Sequence, residues 1–458
     1  MDQIKVKPKI LYEVAKAAWE GKLLEKREEI CSLVCQEFPD QTNRIAVANQ
    51  IRIAMGLSPQ ENGDIFGPYD EEALMGNNAE PVIVVNPAAC RCCSPEQSTC
   101  IVSCPLGAIR KDSLGRATID ASLCQGEGHC LEACAFEALA EKSQFVPLIK
   151  LLKEKSVPIY VSLAPAFAGQ FGPNVTAGKL RTALLRLGFS EVLETALYAD
   201  LITMKEAFEF NDHVKTVDDF LITSCCCPVW IKLIENKFPQ LVEHISPSVS
   251  PMVASARVIK FFNPTAKVVF IGPCIAKKSE ATLPDLAGAV DFVLTFQELA
   301  SIFEATDIDP SSEEDEENSV ASWGGRVYAH TGGVSGAVEE TLTRLVPKRA
   351  QKMNALQIDG IPDCQQALQE IADGKIRANF IEGMACKGGC VGGPGRIISP
   401  EAGRITVTDY ANEAAVKTPA ENPQVYAILN RLGYGDELPP LSGESPMATL
   451  LARKLKDN

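Results

Sequence analysis

Apolar positions in the first part of the chain recur with the period of a helix. Five of them would share one face of an α-helix, because residues three and four apart lie above one another; they are Ile10, Leu11, Val14, Ala15 and Ala18. A stretch rich in Gly and Pro at about 56–68 breaks this pattern. The spacing predicts an N-terminal helical region over residues 1–80.

Beyond residue 155, short apolar runs rich in β-branched residues alternate with helical stretches. This alternation is typical of a parallel sheet with helices on both faces. The runs that predict strands are 157–163, 220–223, 267–271, 290–295, 326–330 and 379–382. Ligands of such sheets bind beyond the carboxyl ends of the strands, and the later cysteines follow these runs. We therefore predict an α/β region whose cysteine groups meet in one crevice.

Composition and charge narrow the class of protein. With 458 residues and 46% hydrophobic content, the chain can bury a sizeable core. The sequence has no apolar run of the roughly 18 to 20 residues that a membrane helix needs, and its start, MDQIKVKPKI, lacks the apolar stretch of a signal peptide. We expect no membrane span and a cytoplasmic location. The net charge of -15 argues against a nucleic-acid partner.

The seventeen cysteines indicate bound metal. A cytosol keeps thiols reduced, so clustered cysteines there bind metal more often than they form disulfides. Iron and zinc are the candidates. In the N-terminal region Cys31 and Cys35 lie one helical turn apart; they could bind a metal, but two thiols are too few for a site, which favours a packed helix face.

Two cysteine runs fill residues 82–145, where helical and strand periods both fade. The first has the spacing C-x2-C-x6-C-x3-C-P, and the second ends on the same x3 interval, which suits iron–sulfur cubanes better than zinc. In two-cluster ferredoxins each cubane takes three ligands from one run and the last cysteine of the other. The runs resemble that fold, and the rule assigns one cluster to Cys90, Cys93, Cys100 and Cys134, and the other to Cys124, Cys130 and Cys104.

The second run departs from the ferredoxin pattern, because Glu127 stands where its second cysteine would be. Three interpretations stay open: Glu127 supplies a carboxylate oxygen, a nearby side chain such as His129 is the ligand, or the cluster holds only three irons. Its position in the x2 interval favours Glu127. Cys92 adjoins a ligand, so its side chain is expected to point elsewhere. We predict two accessory iron–sulfur clusters, of the [4Fe–4S] type, in a small α+β domain over residues 81–147.

Three motifs follow in the α/β region: TSCCCPVW from Thr223, GPCIAKKSE from Gly272 and EGMACKGGCVGGPG from Glu382. Together they resemble the catalytic domain of [FeFe]-hydrogenases, and with the ferredoxin-like part the resemblance covers residues 82–400. It implies a catalytic domain over residues 148–458 that ends in a short helical tail. The expected fold is α/β, with parallel or mixed sheets flanked by helices around a buried H-cluster.

The resemblance implies the ligands of that H-cluster, a [4Fe–4S] cubane bridged to a two-iron subsite that carries CO, cyanide and a dithiolate with a bridgehead amine. The cubane would be held by Cys227, Cys274, Cys386 and Cys390, and the last of these would bridge to the subsite. Cys386 and Cys390 would face the same side of a helical turn, with glycines nearby that let the backbone approach.

The first motif has one cysteine more than the usual TSCCP form, as in the subgroup often called group B. Counting back from Pro228 makes Cys226 the thiol that faces the bridgehead amine. Cys225 is then the extra thiol, either a redox or protective group or, as we favour, a buried and inert one.

The resemblance further implies a proton relay that begins at Cys226. The path would run from Cys226 through Glu206 and Ser246 to Glu209 and then to solvent. Glu206 and Glu209 stand three residues apart, so they would share one face of a helix. Without the resemblance they would be interpreted as ordinary surface residues.

Around the two-iron subsite the resemblance implies five contact residues. Lys277 would hydrogen-bond a cyanide, Met384 would lie against the bridging carbonyl, and Ala164 and Pro165 would border the subsite. Ala166 stands where many members have a serine that hydrogen-bonds a cyanide. The loss of that donor affects the expected rate and direction of catalysis, not the identity of the cofactor.

The implied activity is ferredoxin-linked hydrogenase chemistry, 2 H⁺ + 2 e⁻ ⇌ H₂, in which the cofactor makes the bonds. Dihydrogen and protons would be the substrates, ferredoxin or flavodoxin the electron partner, and dedicated maturation enzymes the source of the two-iron subsite. Two alternatives remain. One is a hydrogen-sensing regulatory hydrogenase with slow turnover, and the other a hydrogenase-like iron–sulfur assembly protein, against which Lys277, Met384 and the relay carboxylates argue.

Overall fold

The computed structural model describes residues 6–39, 43–67, 70–76, 81–91, 93, 98–316, 319–433 and 446–455, and Cys92 lies outside them. The N-terminal region forms α1 (Val6–Glu20), α2 (Leu23–Glu37), α3 (Arg44–Ala54) and α4 (Asp70–Met75). Most of the predicted apolar face of α1 is buried, as a helix that packs on one side requires. Cys31 is part of the same core and Cys35 packs against it.

The cysteine-rich segment folds as two similar halves, each with a short helix. Its elements are β1 (Ile83–Val85), α5 (Thr99–Val102), β2 (Ile109–Lys111), β3 (Ala117–Ile119), α6 (His129–Ala133) and β4 (Leu139–Glu141). Strand β1 pairs antiparallel with β4, and β2 pairs antiparallel with β3. The expected α+β arrangement is present, with most of the cysteines packed around a small apolar cluster.

The rest of the described chain alternates strands and helices. The strands are β5 (Ile159–Leu163), β6 (Glu191–Glu194), β7 (Leu221–Ile222), β8 (Lys267–Gly272), β9 (Phe292–Thr295), β10 (Ala355–Asp359) and β11 (Phe380–Met384). The helices are α7 (Phe145–Glu154), α8 (Ala177–Leu187), α9 (Thr195–His213), α10 (Pro228–Lys237), α11 (Pro251–Phe262), α12 (Ala276–Glu280), α13 (Phe296–Ala305), α14 (Trp323–Val327), α15 (Gly333–Leu345), α16 (Pro347–Ala350), α17 (Ile361–Ala372), α18 (Pro400–Asn412), α19 (Pro423–Arg431) and α20 (Pro446–Leu450).

These strands form two parallel sheets. One has the order β6-β5-β8-β9 and the other the order β10-β11-β7. In the first sheet Leu163 aligns with Ile271 and Ile271 with Leu294, so the carboxyl ends of its central strands lie level. The α/β prediction with parallel sheets is therefore confirmed, and the loops that carry the cysteines leave from the carboxyl ends of both sheets.

Two edge strands escaped the sequence analysis because polar residues interrupt their apolar ones. Strand β6 pairs with β5 alone and β10 with β11 alone. Edge strands need not be apolar on both faces, and β6 (EVLE) and β10 (ALQID) carry polar residues where the central strands are β-branched.

The predicted strand at 326–330 is wrong. Residues 323–327 form α14, which begins at Ser322, whose hydroxyl accepts a hydrogen bond from the Gly325 backbone N–H. A Cβ added to Gly325 would lie 2.1 Å from the backbone oxygen of Ala196 in α9. Close packing of two helices, which glycine permits, has overridden the strand-like composition of this segment.

Within the described residues, no helix is long and apolar enough to cross a membrane. The domain boundaries at 80 and 147 stay predictions.

Candidate active site

Three loops bring four cysteines together between the two sheets. Cys227 follows β7 and caps the start of α10, where Pro228 takes the first helical position. Cys274 follows β8, and Cys386 and Cys390 follow β11. The crevice predicted at the carboxyl ends of the strands is therefore present, and it draws on both sheets.

The four thiols lie deep in the chain and close to one another. Burial and the thiols of Cys274 and Cys227 raise the pKa of Cys390 to about 12. Burial also raises the pKa of Cys274 to about 11, against the ammonium of Lys277. Each of the four keeps part of its surface uncovered. Convergent deep thiols fit an iron–sulfur cubane, because metal binding displaces their protons and compensates their buried charge.

The segment that carries Cys386 and Cys390 is a glycine turn, not the helical turn that we expected. Gly388 and Gly389 have φ angles of 81° and 89°, in the left-handed region. A Cβ added to Gly389 would lie 2.7 Å from the backbone nitrogen of Thr331. The turn therefore brings both cysteines to the site through backbone conformations that favour glycine.

Beside the cysteines lies a cavity whose exposed lining surface is almost wholly apolar. The predicted contact residues Ala164, Pro165, Ala166 and Lys277 line it, together with Cys226, Cys274 and Cys390. Ala164 and Pro165 reach it because the chain turns sharply after β5. Sequence reasoning missed Tyr328, which also lines the cavity and is buried.

Two of the predicted contact residues make further interactions. Lys277 donates a hydrogen bond of 2.6 Å to Glu280 in the same short helix, and its side chain is almost fully buried. Met384 is buried and packs with Cys226 and Tyr328 in one apolar cluster beside the cavity. The ammonium of Lys277 is the cation of the cavity lining.

Cys225 and Cys226 have different neighbours. Cys226 lines the cavity, whereas Cys225 lies beside the carboxyl of Glu206. The preceding Ser224 has a φ of 69°, in the left-handed region that L residues rarely adopt. Sequence reasoning favoured an inert Cys225 and missed its proximity to the first relay carboxyl.

Glu206 is fully buried in α9. The Thr223 hydroxyl donates a hydrogen bond of 2.5 Å to its Oε2, while Oε1 has no hydrogen-bond partner. Burial raises the pKa of Glu206 to about 7, although Thr223 acts against this shift. A carboxyl with such a pKa can both hold and release a proton at neutral pH.

The outer part of the predicted relay has the expected order, whereas its inner links lack direct hydrogen bonds. The Ser246 hydroxyl donates a hydrogen bond of 2.6 Å to Glu209 Oε2. No described hydrogen bond joins Cys226 to Glu206, or Glu206 to Ser246. All the predicted relay groups are buried in one region, but Ser246 is paired with the outer glutamate and Cys225 and Thr223 are the neighbours of the inner one.

Members of each predicted group of accessory cysteines lie near one another. Burial and the thiols of Cys134 and Cys90 raise the pKa of Cys100, so these three lie together. Backbone N–H groups point at two of the sulfurs, from Ala117 to Cys90 and from Ala108 to Cys104.

The second group includes Glu127. Burial, the carboxylate of Glu127 and the thiols of Cys124 and Cys104 raise the pKa of Cys130. Both oxygens of Glu127 are buried without a hydrogen-bond partner, and His129 Nδ1 lies 3.7 Å from Oε2. An orphaned buried carboxylate is costly, so its place among three thiols fits a ligand of iron.

A family model described as the iron only hydrogenase large subunit, C-terminal domain, matches residues 157–394, just over half of the chain. The chain belongs to this family. The match includes the TSCCCP and GPC motifs and all four deep cysteines, which confirms the resemblance seen in the motifs. Members of this hydrogenase family bind an H-cluster and iron–sulfur clusters.

The relatives of this chain include a hydrogenase subunit and an iron–sulfur assembly component. The chain is 27% identical over 327 residues to the NADP-reducing hydrogenase subunit HndD of Solidesulfovibrio fructosivorans, covering 60% of this chain and 56% of that one. It is also 24% identical over 301 residues to the cytosolic iron–sulfur assembly component 3 of Mus musculus, covering 53% and 63%. The chain spans about half the length of the first curated relatives that it matches.

A solved structure of a variant of the [FeFe]-hydrogenase HydA1 from Chlamydomonas reinhardtii has the same fold, with a TM-score of 0.54 at 23% identity. The similarity covers 67% of this chain and 98% of that one.

Proposed function

We propose that the chain is a hydrogenase that catalyses 2 H⁺ + 2 e⁻ ⇌ H₂ at an H-cluster. One observation carries the proposal: an apolar cavity adjoins four convergent deep thiols and is bordered by one free thiol, Cys226, and one ammonium, Lys277. Apolar walls exclude water, and these two polar groups can donate hydrogen bonds to an anionic guest.

The deep cysteines Cys227, Cys274, Cys386 and Cys390 would hold the cubane, and the cavity would receive the two-iron subsite. When bound, this cofactor supplies the redox chemistry of dihydrogen. Lys277 anchors its anionic ligands, and Ala164, Pro165, Ala166 and Met384 shape the space around it. Because Ala166 offers no side-chain donor, Lys277 carries more of this anchoring than it would beside a serine.

Proton movement falls to the chain's own residues. Cys226 exchanges a proton with the guest in the cavity, and Glu206 takes over on the protein side, since burial raises its pKa to about 7. Glu209 and Ser246 continue the path outward from α9. The thiol of Cys225, which lies beside Glu206, is near enough to take part.

Electrons would enter through two accessory clusters. Cys90, Cys93, Cys100 and Cys134 would hold one, and Cys104, Cys124, Cys130 and Glu127 the other. Glu127 is close enough to Cys386 to contribute to the raised pKa of that thiol, so the second cluster is the inner one. A cytoplasmic ferredoxin or flavodoxin would be the electron partner, and maturation enzymes would build the two-iron subsite.

The similarity to an iron–sulfur assembly component favours a second candidate function, in which the chain holds clusters without turning over hydrogen. The two candidates differ in the cavity, because an assembly protein has no use for a two-iron subsite.

The test is to express the full chain without oxygen, with and without the maturation enzymes, and to measure hydrogen evolution from reduced methyl viologen. Infrared spectra of the same samples report CO and cyanide bands. We expect both activity and bands only in the matured sample. Matured protein with its iron–sulfur clusters but without those bands would contradict the proposal and support the assembly function; bands with barely detectable turnover would indicate a hydrogen sensor.

A further inference from the structure

A closed ring of four side chains lies at the outer end of the relay. Lys205 Nζ donates hydrogen bonds to Glu209 Oε1 and, over 2.8 Å, to Ser248 Oγ. The Ser246 hydroxyl lies 2.6 Å from Glu209 Oε2 and 2.9 Å from Ser248 Oγ. All four side chains are buried, and Lys205 is only 2% exposed.

The C-terminal segment encloses this ring. Ser248 pairs with Ala452 in an isolated antiparallel bridge. The backbone N–H groups of Val249 and Arg453 donate hydrogen bonds across the same contact, to Leu451 and Pro247. The ammonium of Lys205 is therefore shielded from water, and its interactions with Glu209 and Ser248 replace its hydration.

Counting donors fixes the direction of the hydrogen bonds in the ring. A lysine ammonium has no acceptor, so both of its contacts are donations. If Ser246 gives its single proton to Glu209, the bond between the serines must be donated by Ser248. Both oxygens of Glu209 then accept hydrogen bonds, which is the arrangement that suits a carboxylate.

We infer that Lys205 is a positioning residue of the proton relay, which keeps Glu209 as a carboxylate and orients the hydroxyls of Ser246 and Ser248 towards it. The role of Lys205 in turnover rests on the proposed function, whereas the ring of hydrogen bonds is independent of that function.

The two glutamates of α9 thereby have different environments. Glu206 meets Thr223, Cys225 and Tyr328, none of which carries a positive charge, and the ammonium of Lys205 lowers the pKa of Glu206 less than burial raises it. Glu209 has the ammonium of Lys205 against it. Of the basic residues on the neighbouring α11, Arg257 binds backbone carbonyls around 285 and 450–452, and Lys260 pairs with Asp291, so neither faces the ring.

Infrared spectroscopy tests the ring independently of turnover. The full chain is expressed with its iron–sulfur clusters but without maturation enzymes, so that no CO or cyanide is present. At about pH 8, above the pKa of about 7 of Glu206, the difference spectrum of Lys205→Met against the parent should show one additional protonated carboxyl. A buried carboxylate that has lost its cation takes up a proton. Adding Glu209→Gln should remove that band.

Lys205→Gln, which keeps hydrogen-bond donors without the charge, should give the same band and guards against a folding failure of Lys205→Met. Absence of the band in either folded variant would overturn the inference. In matured protein both variants should evolve hydrogen on the order of tenfold more slowly, while Lys205→Arg retains more of the rate.

The matched control is Lys232→Met, which breaks a similar ion pair, with Glu235 in α10, and should leave hydrogen evolution unchanged. Unaltered rates in Lys205→Met would likewise overturn the inference. If even the matured parent lacks activity, the proposed function fails, and the infrared band still decides whether Lys205 holds Glu209 as a carboxylate.

Discussion

The two iron–sulfur regions of this chain differ in how close they lie to the surface. Around the accessory cysteines, Val102 is 82% exposed and Phe136 is 41% exposed. The catalytic cysteines instead lie deep between two sheets, beside an apolar cavity. Electrons can pass between clusters without mobile carriers, whereas protons need a chain of groups that accept and release them. The shallow region therefore suits exchange with a partner, whereas the proposed hydrogen turnover in the deep region would need the proposed relay of α9.

The carboxylates of the two regions show the same difference. Glu127 is buried with neither oxygen hydrogen-bonded, whereas Glu206 has one bonded oxygen and Glu209 has its own ammonium. The first arrangement fits a metal ligand, the second a carboxyl that can hold and release a proton at neutral pH, and the third a relay carboxylate that a cation stabilises. Four substitutions test the roles proposed for the two regions, in order of the expected loss of hydrogen evolution.

Cys274→Ala should abolish hydrogen evolution, because the deep cubane loses a ligand that no neighbouring group replaces. Iron analysis should show the loss of one cubane, while the EPR signals of the reduced accessory clusters remain. Full activity would contradict the assignment of the deep site, and loss of all iron would show that the two regions do not fold independently.

Cys226→Ala should lower hydrogen evolution by about 10²- to 10⁴-fold, the usual contribution of a positioned proton donor. The CO and cyanide bands should remain, since Cys226 is not a cubane ligand. Cys225→Ala is the matched comparison, and we expect a smaller loss from it. Undiminished evolution in Cys226→Ala would remove this thiol from the relay.

Glu206→Gln should slow hydrogen evolution on the order of tenfold or more and change its pH dependence. Burial raises the pKa of Glu206 to about 7, so its protonated form, which donates protons for evolution, disappears as the pH rises through 7. In the parent, evolution should fall above about pH 7 and hydrogen oxidation should fall below it. Both pH-dependent falls in rate should be absent in Glu206→Gln, and their persistence would assign them to another group.

Glu127→Gln should have the smallest effect on the rate and the clearest effect on the accessory region. A neutral amide is a poorer iron ligand than a carboxylate, so the EPR signal of the inner accessory cluster should change or its iron should be lost. Glu132→Gln is the control, because Glu132 lies in α6, the helix that follows Glu127, and pairs with Arg396 at the surface. Iron content and EPR identical to the parent would exclude Glu127 as a ligand.

The spacing of the cysteines was enough to predict the iron–sulfur class of the protein, because metal ligands recur at intervals that the chain geometry fixes. The α/β class and the central strands followed from β-branched runs. Edge strands β6 and β10 did not, since one face of each is partly polar, and α14 was mistaken for a strand because a glycine contact with α9 decided its conformation.

Sequence alone thus singled out the residues that are proposed to carry the chemistry; tertiary structure decided what each of them touches. Lys205 and Cys225 illustrate the limit of what the sequence shows about contacts. Cys225 belongs to a recognised motif and Lys205 adjoins the predicted relay residue Glu206, yet a lysine beside a glutamate on a helix is usually solvated, and an extra thiol is usually inert. Only burial under the C-terminal segment turns Lys205 into the partner of Glu209, because the strength of a charge interaction depends on the exclusion of water, which no local pattern encodes.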